Sequence, residues 1–206
     1  MTAVPAPLRL HLIRHPAVAA PPGICYGQSD VPLAASPADA AARLRPLLPA
    51  AALPVPVYSS PLSRCLALAR ALHPEPAVDP RLMEMAFGTW EGRTWEDIGA
   101  EPLTAWAEDI SDFAPPAGES ARMLQGRVLE WLDDLAAEAR DHDAAQGAAA
   151  DRVVVTHGGV VRALVGAVLG IAPADWFRLQ VDFAAVTLVE WPLVAGAPPR
   201  LLALNR

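Results

Sequence analysis

The 206-residue chain contains no lysine, since all 16 of its basic residues are arginine. Schiff-base chemistry and a P-loop lysine on a nucleotide phosphate are therefore excluded. Arginine presents a planar, bidentate set of donors to phosphate oxygens. Any anion site in this protein must therefore consist of arginine, histidine and backbone N–H groups.

Cysteine and long apolar runs are also scarce. Cys25 and Cys65 are too few for a disulfide scaffold and lack metal-ligand spacing. The longest apolar stretch, residues 158–172, contains Arg162 and is shorter than the roughly 20 residues of a membrane span. Residues 1–7 lack the basic and apolar regions of a signal peptide. We therefore expect a cytoplasmic protein without a membrane partner.

The remaining composition is that of a folded, acidic protein. Hydrophobic residues make up 53% of the chain and charged residues 19%, which is typical of globular proteins. The net charge of −7 argues against a large basic face for nucleic acid. We find neither an internal repeat nor a dividing linker, so the length predicts one domain over residues 1–206.

Apolar runs alternate with helical patterns along the chain, which predicts an α/β fold with a mainly parallel sheet and helices on both faces. The predicted strands cover residues 8–13, 55–58, 152–156, 184–190 and 201–204. The predicted helices open at Ser36-Pro37, at Ser60-Pro61, near residues 94 and 102, at Ser120 and at Gly158. Residues 141–150 are expected to form a loop.

Two histidines directly follow predicted strands. Arg14-His15 follows the first strand, and His157 lies between the 152–156 strand and a helix that opens at Gly158. Because the carboxyl ends of parallel strands meet at one edge of a sheet, both histidines should share that edge. Arg64 lies in the first turn of a predicted helix, where a cation opposes the helix dipole unless an anion is bound there. This set of side chains is suited to hold a phosphoryl group in transfer.

Four segments of the chain resemble the signature blocks of the histidine phosphatase superfamily, the phosphoglycerate-mutase-like group. They follow the family's order along the chain. The blocks are Leu-Ile-Arg-His (12–15), Ser-Ser-Pro-Leu-Ser-Arg (59–64), Glu-Met-Ala-Phe-Gly-Thr-Trp-Glu-Gly (84–92) and Val-Thr-His-Gly-Gly (155–159).

The resemblance implies a three-layer α/β sandwich and a reaction without metal or organic cofactor. It implies that His15 is the nucleophile and forms a phosphohistidine. Arg14, Arg64 and His157 would bind the phosphoryl oxygens, together with Gly158 at its helix N-terminus. Glu84 would protonate the leaving alcohol and then activate water, a role for which Glu91 of the same block is the alternative carboxylate.

The chain departs from the family after the first block. The family usually continues with glycine, a threonine or serine, and an asparagine, where this chain has Pro16, Val18 and Pro21. Pro16 has no N–H to offer a phosphate. We expect these changes to alter the shape of the phosphate pocket.

The nearest polar replacements are Tyr26, Gly27 and Gln28, which we predict to bind substrate. The loop over residues 23–30 is similar to that of bacterial α-ribazole phosphatases, which act on a late cobalamin precursor. The sequence therefore predicts a metal-independent phosphomonoesterase for a small phosphate ester, with α-ribazole 5′-phosphate as a candidate.

Two alternatives stay open, and other phosphatase classes do not fit. A phosphomutase of the same superfamily would return the phosphoryl group to substrate, and a binding protein on this fold would hold phosphate ligands without turnover. A cysteine phosphatase needs Cys-x5-Arg, but Val31 and Ala71 occupy the arginine positions. A Gly-x-Ser-x-Gly elbow is absent from the sequence. The oligomeric state is not predicted.

The other histidines and the tryptophans of the middle region are predicted to be structural. They are His11, His73, His142, Trp90, Trp95 and Trp106.

Overall fold

The computed structural model describes residues 6–49, 55–143, 150–194 and 196–206. In these residues the strands form a mixed six-stranded sheet of order β3-β2-β4-β1-β5-β6. The first four strands of that order pair in parallel, whereas β5 pairs antiparallel with β1 and β6. The strands are β1 (Leu8–Arg14), β2 (Val57–Ser59), β3 (Ala77–Val78), β4 (Ala150–Thr156), β5 (Val186–Trp191) and β6 (Arg200–Ala203).

Helices cover both faces of the sheet, so the predicted three-layer α/β sandwich is confirmed. The helices are α1 (Pro37–Leu44), α2 (Ser63–Leu72), α3 (Trp95–Ile98), α4 (Ala100–Glu108), α5 (Ala121–Asp143) and α6 (Gly158–Leu169). Leu10 and Leu12 of β1 pack with α5 and α6, whereas Ile13 packs with α1 and α2. Successive residues of the strand thus pack into two different hydrophobic cores, one on each face, because side chains alternate between the faces of a sheet.

The two central strands β1 and β4 end side by side. Arg14 is paired with Thr156 in the parallel register, and the His15 N–H donates to the Thr156 carbonyl at 2.9 Å. Both strands are almost wholly buried, as expected for the middle of a sheet with helices on both faces. This register places His15 and His157 at one edge of the sheet, as predicted.

Several local predictions need correction. Ser60 is not the N-cap of α2; that position is Leu62, and the Ser60 hydroxyl accepts from the Leu62 N–H at 3.3 Å. Helix α5 continues to Asp143, so His142 lies in a helix and not in a loop. Ala150, also predicted to lie in the loop, begins β4, and residues 144–149 lie outside the described part of the chain. Strand β3 was not predicted, because its two residues are exposed and show no apolar pattern.

The other helix starts agree with their signals. Ser36 accepts from the Ala38 N–H ahead of Pro37, and the Ser120 hydroxyl accepts from the Met123 N–H. None of the helices in the described ranges is long and apolar enough to span a membrane. A single domain and a cytoplasmic location stay predictions.

Candidate active site

His15 is held in one tautomer at the carboxyl end of β1. Its side chain is 1% exposed, and Nδ1 lies 2.7 Å from the Pro16 carbonyl oxygen. A carbonyl only accepts hydrogen bonds, so Nδ1 carries the proton and Nε2 keeps its lone pair. Pro16 therefore orients the ring through its carbonyl, although it offers no N–H.

Burial keeps the His15 ring neutral. It lowers the pKa of His15 from 6.5 to about 3, and the nearby charges of Arg64 and Arg14 act in the same direction. The hydrogen bond to Pro16 opposes this shift but is the smaller effect. At neutral pH the side chain is therefore an uncharged imidazole, the form in which a histidine nitrogen can attack phosphorus.

This pKa shift makes a prediction about stability. Between about pH 6.5 and 3 the unfolded chain binds a proton at His15 that the folded protein does not, so stability falls as the pH falls. We expect His15→Asn, whose amide still reaches Pro16, to reduce this slope by up to about 1.4 kcal/mol per pH unit. Guanidinium unfolding at several pH values measures this slope. If the free energy of unfolding fell equally steeply with pH in the wild type and in His15→Asn, a neutral His15 would be contradicted.

His157 lies beside His15, with ring centroids 5.1 Å apart, and is 0% exposed. Arg64 Nε, which can only donate, lies 3.3 Å from Nδ1, so the His157 proton is on Nε2 and is donated to the Ser60 hydroxyl at 2.8 Å. Burial, reinforced by His15 and Arg64, holds the pKa of His157 well below its ordinary value. The second histidine is thus a neutral donor with a fixed orientation.

Arg64 is a buried cation whose hydrogen-bond acceptors are all uncharged. Its side chain is 0% exposed. Besides His157, it donates to the carbonyl oxygens of Gly27 at 2.6 Å and Ser29 at 2.7 Å. Burying a charge without a counterion is costly. The arrangement is therefore that of a site completed by an anion.

Arg14 is also without a carboxylate partner among the contacts that the structure describes. Its Nη1 donates to the Val181 carbonyl at 2.6 Å, and its Cζ lies 3.6 Å from the centre of the Phe183 ring. Its Nε is buried and has no hydrogen-bond partner in the described residues. A methyl group at Gly158 would come within 3.5 Å of this guanidinium, so the glycine leaves room for the arginine.

The two candidate carboxylates of the third block have different surroundings. Glu84 accepts from the Gly159 N–H at 3.1 Å, at the start of α6. Glu91 accepts from the N–H groups of Gln28, Ser29 and Phe87 and from the Ser29 hydroxyl. The Glu91 carboxylate thus holds a loop in place, whereas the Glu84 carboxylate lies at the start of α6, against the second residue after His157 and within electrostatic range of Arg162.

The loop predicted to bind substrate mainly shapes the site. The Tyr26 ring lies 5.1 Å from Arg64, and burial raises the pKa of its hydroxyl. Gly27 has φ +38°, and a methyl group there would overlap Glu91. The Gln28 amide donates to the Glu84 carbonyl oxygen at 2.9 Å, so it positions that segment.

Sequence reasoning missed four residues around the site. Arg127 forms two hydrogen bonds with the Glu119 carboxylate and donates to the Glu84 carbonyl at 2.9 Å. Arg162 donates to the Leu179 carbonyl, and its Nη1 lies beside Gly158. Phe183 lies 5.6 Å from the His15 ring. Only the helical spacing of Arg162 after Gly158 could have indicated one of them.

The structure brings together His15, His157, Arg14, Arg64, Glu84 and Gly158, as predicted. In the described ranges, no group of three or more His, Cys, Asp or Glu side chains is arranged to hold a metal ion.

Comparison with known proteins connects this site to one family. The sequence pattern of the histidine phosphatase superfamily (branch 1) matches residues 10–197. Glucosyl-3-phosphoglycerate phosphatase of Mycolicibacterium vanbaalenii is 34% identical over 130 residues, 60% of this chain and 57% of that protein. The chain thus spans less than two thirds of that relative. Adenosylcobalamin/alpha-ribazole phosphatase of Escherichia coli is 29% identical over 183 residues, 85% of this chain and 86% of that protein.

A solved structure agrees along almost the whole chain. The complex of mycobacterial glucosyl-3-phosphoglycerate phosphatase with inorganic phosphate has a TM-score of 0.80 and 28% identity, covering 97% of each chain. These relatives are named phosphatases, the enzyme class that the sequence predicts. The chain therefore belongs to branch 1 of the histidine phosphatase superfamily.

Proposed function

We propose that this protein hydrolyses small phosphate monoesters without a metal ion, through a phosphohistidine on His15. The observation that carries the proposal is the state of His15: Nδ1 is bonded to Pro16, and Nε2 is left as an unprotonated nucleophile. Arg14 and Arg64 beside it are cations whose described hydrogen-bond acceptors are uncharged. A phosphate ester supplies both the electrophile and the missing anion.

The reaction proceeds in two steps. Arg14, Arg64 and the start of α6 hold the phosphoryl oxygens, and His157 turns its Nε2 proton from the Ser60 hydroxyl to one of them. His15 Nε2 attacks phosphorus while the bond to the alcohol oxygen breaks. Glu84 gives its proton to the departing alcohol. Water then attacks the phosphohistidine and loses a proton to Glu84, and phosphate leaves as His15 is restored. This sequence requires neither an oxidant nor a metal.

The relatives support two candidate substrates. The likeness of residues 23–30 to α-ribazole phosphatases and the extent of the Escherichia coli match favour α-ribazole 5′-phosphate, and hence a role in cobalamin biosynthesis. The mycobacterial relatives favour glucosyl-3-phosphoglycerate. Since the relatives are named phosphatases, hydrolysis is preferred over the mutase and binding-protein alternatives.

Release of inorganic phosphate from a panel of esters tests the proposal. The panel contains p-nitrophenyl phosphate, α-ribazole 5′-phosphate, glucosyl-3-phosphoglycerate and 3-phosphoglycerate, each with and without EDTA. We expect turnover that EDTA does not reduce. No release from any ester would favour the binding protein, whereas transfer between positions of 3-phosphoglycerate without release would favour the mutase.

The role of Glu84 predicts a dependence on the leaving group. Without its proton, an alkyl alcohol departs poorly, whereas p-nitrophenolate needs little help. We expect Glu84→Gln to lower kcat for alkyl phosphates by about 100-fold or more and to affect p-nitrophenyl phosphate much less. An equal loss across leaving groups would count against Glu84 as the acid.

A glycine pair supplies a matched control for this test. A methyl group at Gly159 would overlap the Glu84 carboxylate, whereas one at Gly126 of α5 would meet no atom within 4 Å. We therefore expect Gly159→Ala to resemble Glu84→Gln and Gly126→Ala to resemble the wild type in steady-state kinetics. Equal steady-state kinetics of Gly159→Ala and Gly126→Ala would show that the reaction does not depend on the contact between the Glu84 carboxylate and α6.

A further inference from the structure

A cavity of about 100 Å³ lies beside Glu84 and is lined by residues of α4, α5, α6 and the 3₁₀ helix Pro173–Arg178. Glu84, Gly159 and Arg162 are the lining residues that adjoin the phosphate site at the start of α6. Because Glu84 is the group proposed to protonate the leaving oxygen, this cavity lies where the alcohol part of a substrate extends.

The walls of this cavity are apolar. All lining residues other than Glu84 and Arg162 are hydrophobic side chains or glycine, and four of them are aromatic: Phe87, Trp106, Trp176 and Phe177. Such walls offer few partners to hydroxyl or carboxylate groups, which would lose their hydration on entering. They favour a ligand that is itself apolar.

The aromatic wall is held in place by other aromatic rings. Trp106 stacks on Trp95 at 6.2 Å with an interplanar angle of 9° and meets the edge of Phe87 at 6.0 Å. The Phe177 ring contacts Trp106 at 5.6 Å and is 58% exposed at the rim of the cavity. The exposed Phe177 ring thus extends the aromatic wall to the rim of the cavity.

The two charged residues are both at the end nearest the phosphate site. Arg162 Nη1 lies beside Gly158, close to Arg14, and Arg162 Cζ lies 5.9 Å from the Phe177 ring. The charged side chains of the cavity, Arg162 and the proposed acid Glu84, thus lie where it meets the phosphoryl group and Arg14, and the cavity is apolar beyond. A ligand that matches it is anionic at one end and apolar at the other.

On this basis we infer that the enzyme selects phosphate monoesters whose alcohol carries a compact apolar group, such as one aromatic ring. The volume limits this group to about one ring, because the cavity of about 100 Å³ is smaller than the engineered apolar cavity of about 150 Å³ that binds benzene. This inference rests on the proposed phosphatase activity and adds to it the substrate class. Of the two candidate substrates, it disfavours glucosyl-3-phosphoglycerate, whose sugar hydroxyl groups would lose their hydration in this cavity. Phe177, Trp106 and Ile110 are then residues that determine specificity.

A matched series of alkyl phosphates tests the inference. The probes are ethyl phosphate, 2-phenylethyl phosphate and glycerol 3-phosphate, in which the leaving group is an alkyl alcohol throughout. We expect kcat/KM for the phenylethyl ester to exceed that of the other two by at least about tenfold, as burial of a ring implies.

Variants of the cavity wall identify where this preference arises. Phe177→Ala should reduce the preference for the phenylethyl ester several-fold. Ile110→Phe, which fills the cavity, should lower kcat/KM for the phenylethyl ester much more than kcat/KM for ethyl phosphate. Met123→Ala is the control, since Met123 is also 58% exposed but is not part of the cavity.

The outcomes separate the two proposals. Equal kcat/KM values for the three esters, or a preference that all three variants retain, would overturn the apolar selection and leave the phosphatase intact. A failure to hydrolyse any ester, p-nitrophenyl phosphate included, would overturn the proposed function itself.

Discussion

Replacing His15 with alanine is expected to lower phosphate release from p-nitrophenyl phosphate by a factor of about a thousand or more, because no other described group can take its place. His157 is the nearest alternative, but its Nδ1 accepts from Arg64 and its Nε2 proton is donated to Ser60. Neither of its nitrogens is a free nucleophile. The measurement is steady-state release of phosphate by the purified variant.

Two further observations make this test specific. His73→Ala, at the end of α2 and away from the site, should keep the wild-type rate. Rapid quenching of the wild type should trap a phosphoryl label that is lost in acid and kept in alkali, as expected of an N–P bond. A His15→Ala protein that turns over at the wild-type rate would exclude His15 as the nucleophile.

Replacing Arg64 with methionine is expected to lower kcat/KM by about a hundred- to a thousandfold, because it removes a preorganised cation from the developing charge. The same substitution should also abolish the rise in Tm that inorganic phosphate causes. A ligand that binds the folded state raises Tm, so inorganic phosphate should stabilise the wild type and not the variant. Thermal unfolding with and without phosphate measures this difference.

The control for Arg64 comes from the same helix. Arg70 is exposed on α2, and Arg70→Met removes an equal charge without touching the site. It should retain both the activity and the shift of Tm with phosphate. If phosphate stabilised the wild type and Arg64→Met equally, the buried arginine would have a structural role only.

Much of the fold could be predicted from local patterns. The runs around Leu10 and Val154 are apolar because these strands are covered by helices on both faces. The Ser36-Pro37 cap was predicted correctly, since capping depends on neighbours in the chain. The same pattern at Ser60 predicted an N-cap wrongly. The Ser60 hydroxyl accepts hydrogen bonds from the Leu62 N–H and from His157, which is distant in sequence.

The site was predicted less completely than the fold. Arg14, His15 and His157 could be placed together because each lies at the carboxyl end of a central strand. Phe183 and Arg162 could not, since an aromatic residue and a helical arginine have no local feature that marks them as neighbours of a phosphate. Phe183 belongs to the segment after α6, which returns to β1 where the Ala184 N–H donates to the Arg14 carbonyl. Arg162 lies in α6 and is held by the Leu179 carbonyl of the same segment.

The sequence by itself thus determined the chemistry available to this protein: no lysine, arginines as the cations, and a histidine at the end of each central strand. Only the tertiary structure decided which carboxylate lies at α6, which nitrogen of His15 carries the proton, and that an apolar cavity lies beside Glu84. The division has a physical reason. Residue type and strand periodicity are local, whereas a tautomer, an ion pair or a cavity depends on contacts between segments far apart in the chain.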